Sequence, residues 1–323
     1  MSQALRAAVI GVGKLGRFHC DKYFALKSQF TELEFVGVYD VSEPQRNLVA
    51  HELSQIYKQP IEAFSNLEGV AKAVDLVTIA SSSHSHFELV EFFLKQKKHV
   101  LVEKPLALGL EQGQMLVSLA KHEQVTLAVG HSERFNPGYQ FLKSNLRGSL
   151  KALQFVRHSP YSERVTDVSV IDDLMIHDLD LLSDLCGSNF HVVTSFGKKV
   201  RSSHFDVCDA FLQSSDESCF VTLSSQRLLP NMTRTVRVVT DQMSIIIDLQ
   251  NNQIDVCHWK MGEGGGISEP SISLPKQDHL MMETREFLNQ IVFGKSSFCS
   301  GESVLPSLKW RDDVLKQCNQ KMF

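Results

Sequence analysis

The stretch Val9–His19, VIGVGKLGRFH, constrains the fold more than any other part of the chain. Glycines stand at 11, 13 and 16, after the apolar run Ala7–Ile10 and before Leu15–Lys27, which has helical spacing. Strand, Gly-x-Gly-x-x-Gly turn and helix, in that order, are the context a dinucleotide site requires. The first glycine permits the tight turn, the second lets main chain approach a pyrophosphate, and the third lets helix and strand pack closely. The N–H groups that open the helix, at Lys14 and Leu15, and its partial positive charge then serve the phosphates. Asp40 ends the next apolar run, Glu34–Tyr39. A carboxylate there accepts hydrogen bonds from the adenosine ribose and repels a 2′-phosphate, so NAD is expected rather than NADP. Arg46, a possible partner for a 2′-phosphate, reads as a solvated helix residue.

Strand and helix signals keep alternating to about residue 130. Strands are expected at Asp75–Ala80, His99–Glu103 and Thr126–Gly130, and helices at Ser42–Gln55, His86–Lys97 and Leu110–His122. This alternation means a parallel sheet with right-handed crossovers. Beyond about residue 150 the texture changes. Lys151–His158, His191–Lys198, Val207–Gln213, Cys219–Ser225, Arg234–Val239 and Ser244–Leu249 read as strands joined by polar turns, hence an antiparallel sheet. Val170–Cys186, His279–Phe293 and Ser300–Lys316 have helical spacing, and Gly262–Ser271 reads as a loop. The expected class is α/β, with a Rossmann domain over 1–130 and a second α/β domain over 131–323. The length of 323 residues suits two domains.

Composition narrows the function classes. The formal net charge of −4 offers nothing to a polyanion, so neither nucleic acid nor an acidic membrane is an expected partner. There is no apolar run long enough for a membrane span, and the glycine-interrupted start reads as a strand, not a signal peptide. Seven cysteines without a C-x-x-C suit a reducing compartment, and the cytoplasm is expected. The cysteines lack a visible base and read as core.

Four further motifs follow the glycine loop in order: Ser81–His86 (SSSHSH), Glu103-Lys104-Pro105, Gly130–Pro137 (GHSERFNP) and Asp173–Asp180 (DLMIHDLD). Together with the loop, and with Gly301-Glu302 near the start of the last helix, they resemble the Gfo/Idh/MocA oxidoreductases over nearly the whole chain. The resemblance implies a C-terminal domain with an open, mostly antiparallel sheet used for substrate binding and subunit contact, with the final helix packing back on the Rossmann domain. It also implies NAD(P)-linked chemistry at a sugar or cyclitol carbon. GHSERFNP and DLMIHDLD are most similar to those of bacterial enzymes that oxidise the 3-hydroxyl of UDP-N-acetylglucosamine, toward a diamino lipid A sugar. Ser82-Ser83 departs from a frequent Thr-Pro, and Met175 from a frequent glycine whose replacement would narrow the pocket.

The site residues follow from both arguments. Oxidising a secondary alcohol needs a base for the hydroxyl proton, and imidazole titrates in the right range. His177 fits, and Lys104, where a strand ends at the sheet's carboxyl edge, can stabilise developing alkoxide charge. The resemblance implies that Lys104, His177 and Asp173 do this work, without deciding which accepts the proton. Asp173 and His177 are four apart and share a helix face. Asp180 and Asp184 continue that stripe and read as solvated. Ser81, Ser82, His86 and Glu103 are expected at the cofactor, Glu103 on the nicotinamide ribose or Lys104. Arg134, Asn136, Tyr161 and Arg164, with Asp173 and His177, are the candidate substrate contacts. His84 and His86 lack a third ligand, so no metal is expected. His131 reads as packed. A homodimer or homotetramer is expected, since no helices separate the later strands to cover both faces of the sheet. Dehydrogenation of a free cyclitol or hexose, and a non-catalytic NAD-binding sensor, are the alternatives.

Overall fold

The structure is a computed structural model that describes residues 4–162, 168–259, 266–294 and 299–320. The chain opens β1 (Leu5–Ile10), α1 (Lys14–Leu26), β2 (Leu33–Tyr39), α2 (Glu43–Tyr57), β3 (Glu62–Ala63), α3 (Leu67–Ala73), β4 (Leu76–Ile79), α4 (His86–Lys95), β5 (His99–Glu103), α5 (Leu110–Glu123) and β6 (Leu127–Gly130). It continues α6 (Pro137–Asn145), β7 (Leu150–His158), a π turn (Ile171–Met175), α7 (Ile176–Cys186), β8 (Phe190–Lys198), β9 (Val207–Ser214), β10 (Phe220–Gln226), β11 (Thr233–Thr240), β12 (Met243–Asp248) and β13 (Gln253–Trp259). It closes with β14 (Gly266–Ser268), β15 (Ile272–Ser273), α8 (His279–Phe293) and α9 (Leu305–Gln320).

The chain divides into two compact units, Met1–Ser132 with Asp278–Leu305, and Glu133–Gln277 with Pro306–Phe323. The division corrects the expected boundary in one respect. Helix α8 belongs to the first unit, where Phe287 and Leu288 enter its core, whereas α9 puts Trp310, Val314 and Cys318 into the core of the second. The helix that joins the Rossmann unit is thus not the final one.

The first unit holds a parallel sheet of order β3-β2-β1-β4-β5-β6. Strands β4 and β6 are buried along their whole length, as parallel strands covered on both faces must be. Helix starts carry their own signals. Ser42 Oγ accepts from Gln45 N to open α2, with Pro44 in the first turn, and Asp278 accepts from Met281 N to open α8.

In the second unit the main path of strands runs β14-β13-β12-β11-β7-β10-β9-β8. Alternating burial along β7 marks a sheet with one face in the core and one outside. The pairings are antiparallel except β7 with β10, which lie side by side in the same direction. The sheet is therefore mixed. Strand β14 pairs with β13 inside what reads from sequence as the loop 262–271. Outer-face side chains include Phe196, Phe220 and Ile246, all exposed, and the rings of Phe211 and Phe220 stack at 5.8 Å.

Candidate active site

The carboxyl edge of the first unit's sheet carries a cavity of about 770 Å³ lined by Gly11, Gly13, Asp40, Ser81 and Ser82, with Tyr39, Val41, Leu67, Glu88 and Leu89. Each glycine there answers a steric demand. Gly11 has φ +81°, and a Cβ on it would come 2.7 Å from the Ser81 main chain. A Cβ on Gly16 would overlap the Gly11 carbonyl oxygen, whereas one on Gly13 would meet nothing within 4 Å. Gly13 is therefore small for the sake of something that approaches from outside. Helix α1 begins at Lys14, and the N–H groups of Lys14 and Leu15 have no acceptor within the helix.

Asp40 is fixed at the mouth of this cavity. Its Oδ2 accepts from Val12 N and its Oδ1 from Ser42 N, each at 2.9 Å. A carboxylate has further lone pairs to offer ribose hydroxyls. Arg46 is not a solvated helix residue: its guanidinium donates to the Asp40 carbonyl at 3.3 Å and lies 3.7 Å from Glu43. Exposed Val41 and neighbouring Leu67 give the apolar surface an adenine ring can cover.

The loop after β4 folds on itself. Ser81 Oγ and Ser85 Oγ lie 2.8 Å apart, and Ser85 Oγ donates to the Ser82 carbonyl at 2.9 Å. His86 does not face the cavity. It is buried, with Nδ1 2.7 Å from the Pro105 carbonyl and Nε2 3.2 Å from the Ser81 carbonyl. Burial pushes its pKa down. It ties the Ser81 loop to the Lys104–Pro105 turn and would act on a cofactor only through them. Glu103 is likewise turned inward, not toward a ribose. Its Oε1 accepts from His19 Nε2 at 2.8 Å and its Oε2 from the Lys104 main-chain N–H at 3.3 Å. Burial works to raise Glu103, but the His19 bond and the Lys104 charge outweigh it and hold the carboxyl below its ordinary range. Lys104 itself is half-buried at the end of β5, as expected.

In the second unit the π turn Ile171–Met175 leads into α7. π turns recur at functional sites because they re-aim side chains within a helix. Asp173 and His177 are half-buried there while Asp172, Asp178 and Asp180 are buried. Asp172 accepts from Arg311 Nε at 2.6 Å, and Asp178 takes a bidentate grip from Arg157. Burial raises the Asp178 carboxyl against the pull of Arg157.

Several expected substrate contacts are interior instead. Arg134 and Asp180, each 1 % exposed, form a bidentate pair at 2.8 and 2.7 Å. Asp180 is thus no solvated stripe, and Asp184 is no more so: it accepts from Tyr139 at 2.6 Å and from Lys143 at 2.8 Å. Asn136 caps α6, accepting from Gly138 N and donating to the Leu249 carbonyl. Met175 is buried in the core of the second unit. His131 is packed, as expected. Tyr161 has the Arg201 guanidinium 3.9 Å above its ring. Arg164 lies outside the described residues. His19, Glu283 and Arg201 escape sequence reasoning. Only His19 leaves a trace there, as a polar residue on the buried face of the glycine helix.

A glycine cradle with one position kept open, a helix start with idle N–H groups and a carboxylate at the second strand's end fit a dinucleotide and define an NAD-linked oxidoreductase architecture. The profile of the oxidoreductase family with an NAD-binding Rossmann fold matches residues 5–131. A UDP-N-acetylglucosamine 3-dehydrogenase from Acidithiobacillus ferrooxidans is 31 % identical over 300 residues, 92 % of each chain. A solved structure of such an enzyme from that organism superposes with a TM-score of 0.87 at 29 % identity, covering 99 % of both chains. A myo-inositol 2-dehydrogenase from Thermotoga maritima is 23 % identical over 314 residues, 92 % of this chain and 91 % of that one. The chain belongs to the Gfo/Idh/MocA family of oxidoreductases. No helix among the described residues is long and apolar enough to cross a membrane.

Proposed function

We propose that this protein oxidises the 3-hydroxyl of UDP-N-acetylglucosamine to the 3-keto sugar. The observation that carries the reading is similarity at 31 % identity across nearly the full length of an enzyme of that name. Gly11, Gly13, Lys14, Leu15, Gly16 and Asp40 would hold the NAD, with Ser81 and Ser82 along the same cavity. Bound NAD supplies the acceptor for the hydride that leaves the sugar carbon. The chain's own task is the hydroxyl proton. Lys104 donates a hydrogen bond to the reacting oxygen and steadies it as it becomes an alkoxide, and His177 with Asp173 completes the proton's route. Arg201 supports a nucleotide sugar over a free one, because its guanidinium, stacked on Tyr161, keeps edge N–H donors for a diphosphate.

The myo-inositol dehydrogenase relative favours a second reading, a free cyclitol as substrate. NAD reduction followed by NADH absorbance over UDP-sugars, free hexoses and cyclitols separates them. Turnover of UDP-N-acetylglucosamine, with loss of its advantage over myo-inositol in Arg201→Ala, is expected. Turnover of cyclitols alone overturns the reading, and tight NAD binding with no turnover points to a sensor. The exposed sheet face bearing Phe196, Phe220 and Ile246 supports a homo-oligomer, since apolar faces of this kind are buried by a second copy. A monomeric mass at micromolar concentration rules that out.

A further inference from the structure

Behind the Lys104 turn the first unit buries a cluster that neither the cofactor cavity nor the sugar chemistry uses. His19 on α1, Glu103 at the end of β5 and Glu283 on α8 are 0 %, 8 % and 3 % exposed. One nitrogen or carboxylate oxygen from each lies within 4.8 Å of the other two. Among the described residues, neither carboxyl oxygen of Glu283 finds a hydrogen-bond partner, and nor does His19 Nδ1. Two carboxylates this close and this dry cannot both ionise cheaply. The groups that face Glu283 are few. Helix α1 brings His19 and Tyr23, whose hydroxyl lies 2.6 Å from Thr78 Oγ1. Strand β5 brings Glu103 with Lys104 beyond it, and β6 (LAVG) brings nothing titratable.

Either a cation or a proton would satisfy such a cluster. The His19–Glu103 contact favours the proton. With Glu103 ionised, the 2.8 Å contact is a hydrogen bond that uses the proton on Nε2, and a cation shared by these two atoms would require that proton to leave. The Glu103 charge is already met by His19, by the Lys104 N–H and by the Lys104 ammonium.

We propose that Glu283 keeps a proton, so that a neutral side chain and not a second charge packs beside Glu103, and that it is thereby a positioning residue: it leaves His19 free to hold the ionised Glu103 against the Lys104 main-chain N–H, which fixes the turn that aims Lys104. Burial first, and the Glu103 charge second, keep the Glu283 carboxyl well above its ordinary range. The proposal rests on the assignment of Lys104 to the sugar chemistry.

Two measurements test it. In the unfolded chain Glu283 ionises near pH 4, whereas in the folded protein it holds its proton to higher pH. The folded protein therefore loses stability relative to Glu283→Gln, which cannot ionise, as pH rises above about 4. Thermal unfolding of both proteins across pH should show the glutamine variant gaining progressively. In steady-state kinetics, Glu283→Ala should lower kcat by about 10- to 100-fold, the cost of an ångström-scale misplacement, with KM for NAD little changed. Glu283→Gln should restore it. A stability difference that is flat across pH overturns the proposal. So does a stoichiometric divalent metal in the purified protein that Glu283→Gln loses, or an alanine variant with the parent's turnover. Should the parent turn over no tested sugar, the sugar reading fails, and the stability comparison alone upholds or overturns the protonated Glu283.

Discussion

Two stretches of polar and small residues, one in each unit, look equally functional in the sequence and are used in opposite ways. In the first unit the glycine loop shapes main chain: Gly11 and Gly16 are small because strand and helix touch, and Gly13 is small beside open space. In the second, Arg134 and Asn136 read as substrate contacts and Asp180 as part of a solvated stripe, with Asp178 in the same motif. They instead form an interior lattice of ion pairs and caps. A site made by backbone demands is visible in residue spacing, because only glycine meets them. A site made by side chains depends on which way each one points, and spacing alone does not carry that.

The largest effect should come where the two kinds of residue are set against each other by function. Lys104→Ala and His177→Ala should each lower turnover by about 10²–10⁴-fold, the usual contribution of a positioned acid–base group. NAD affinity should stay within a few-fold, as a cofactor titration beside NADH absorbance would show. Asp180→Ala should act the other way. It removes the bidentate partner of the buried Arg134, whose other carboxylate, Asp184, lies 3.5 Å away, and breaking a buried pair costs about 3–5 kcal/mol. Urea unfolding should show that loss, and a variant as stable as the parent would mean that Arg134 is not committed to Asp180.

Sharper comparisons lie within the loop. Gly16→Ala should destabilise the fold, since its Cβ overlaps the Gly11 carbonyl oxygen. Gly13→Ala should unfold like the parent yet bind NAD about tenfold more weakly, about 1.4 kcal/mol. Equal losses of stability in both variants would end the distinction. The smallest effect is expected at Asp40→Ala, which should narrow the preference for NAD over NADP. Arg46, held against the Asp40 carbonyl, limits that change, because its position is set partly by main chain that the substitution leaves in place.

Much of the fold was legible, and the reasons are physical. Short, mostly apolar runs such as LVTI and LAVG between turn signals read as covered strands, and the alternation along β7 reads as a one-sided sheet. Short elements such as β3 and α3 were not, because two to seven residues carry too little periodicity. The parallel pairing of β7 with β10 was not, because pairing direction is decided by the path of the chain and not by composition. At the site, Gly11, Gly13 and Asp40 line the cavity, and their spacing in the sequence already puts them at one sheet edge. His86 reads as a cofactor contact and Glu103 as a contact of the ribose or of Lys104; Glu103 does meet the Lys104 N–H, but the other partners are a carbonyl at Pro105 and an imidazole at His19, both remote in sequence. Glu283 lies further still along the chain, and only folding brings it near Glu103.

The π turn at Ile171–Met175 works as a phase shifter inside a single helix. Its Ile176 N–H reaches back five residues to the Ile171 carbonyl, so the turn holds one residue more than an α-helical one. That offsets everything beyond it by about 100° from an uninterrupted α-helix. Ile171 within the turn and Leu179 and Leu182 beyond it enter the core, while Asp173 and His177 stay half-buried. Deleting one residue here would leave a well-bonded α-helix and still either swing His177 away or drag the leucines out. The direction of the histidine is written in the number of residues before it, so evolution can exchange its neighbours far more freely than it can change their count.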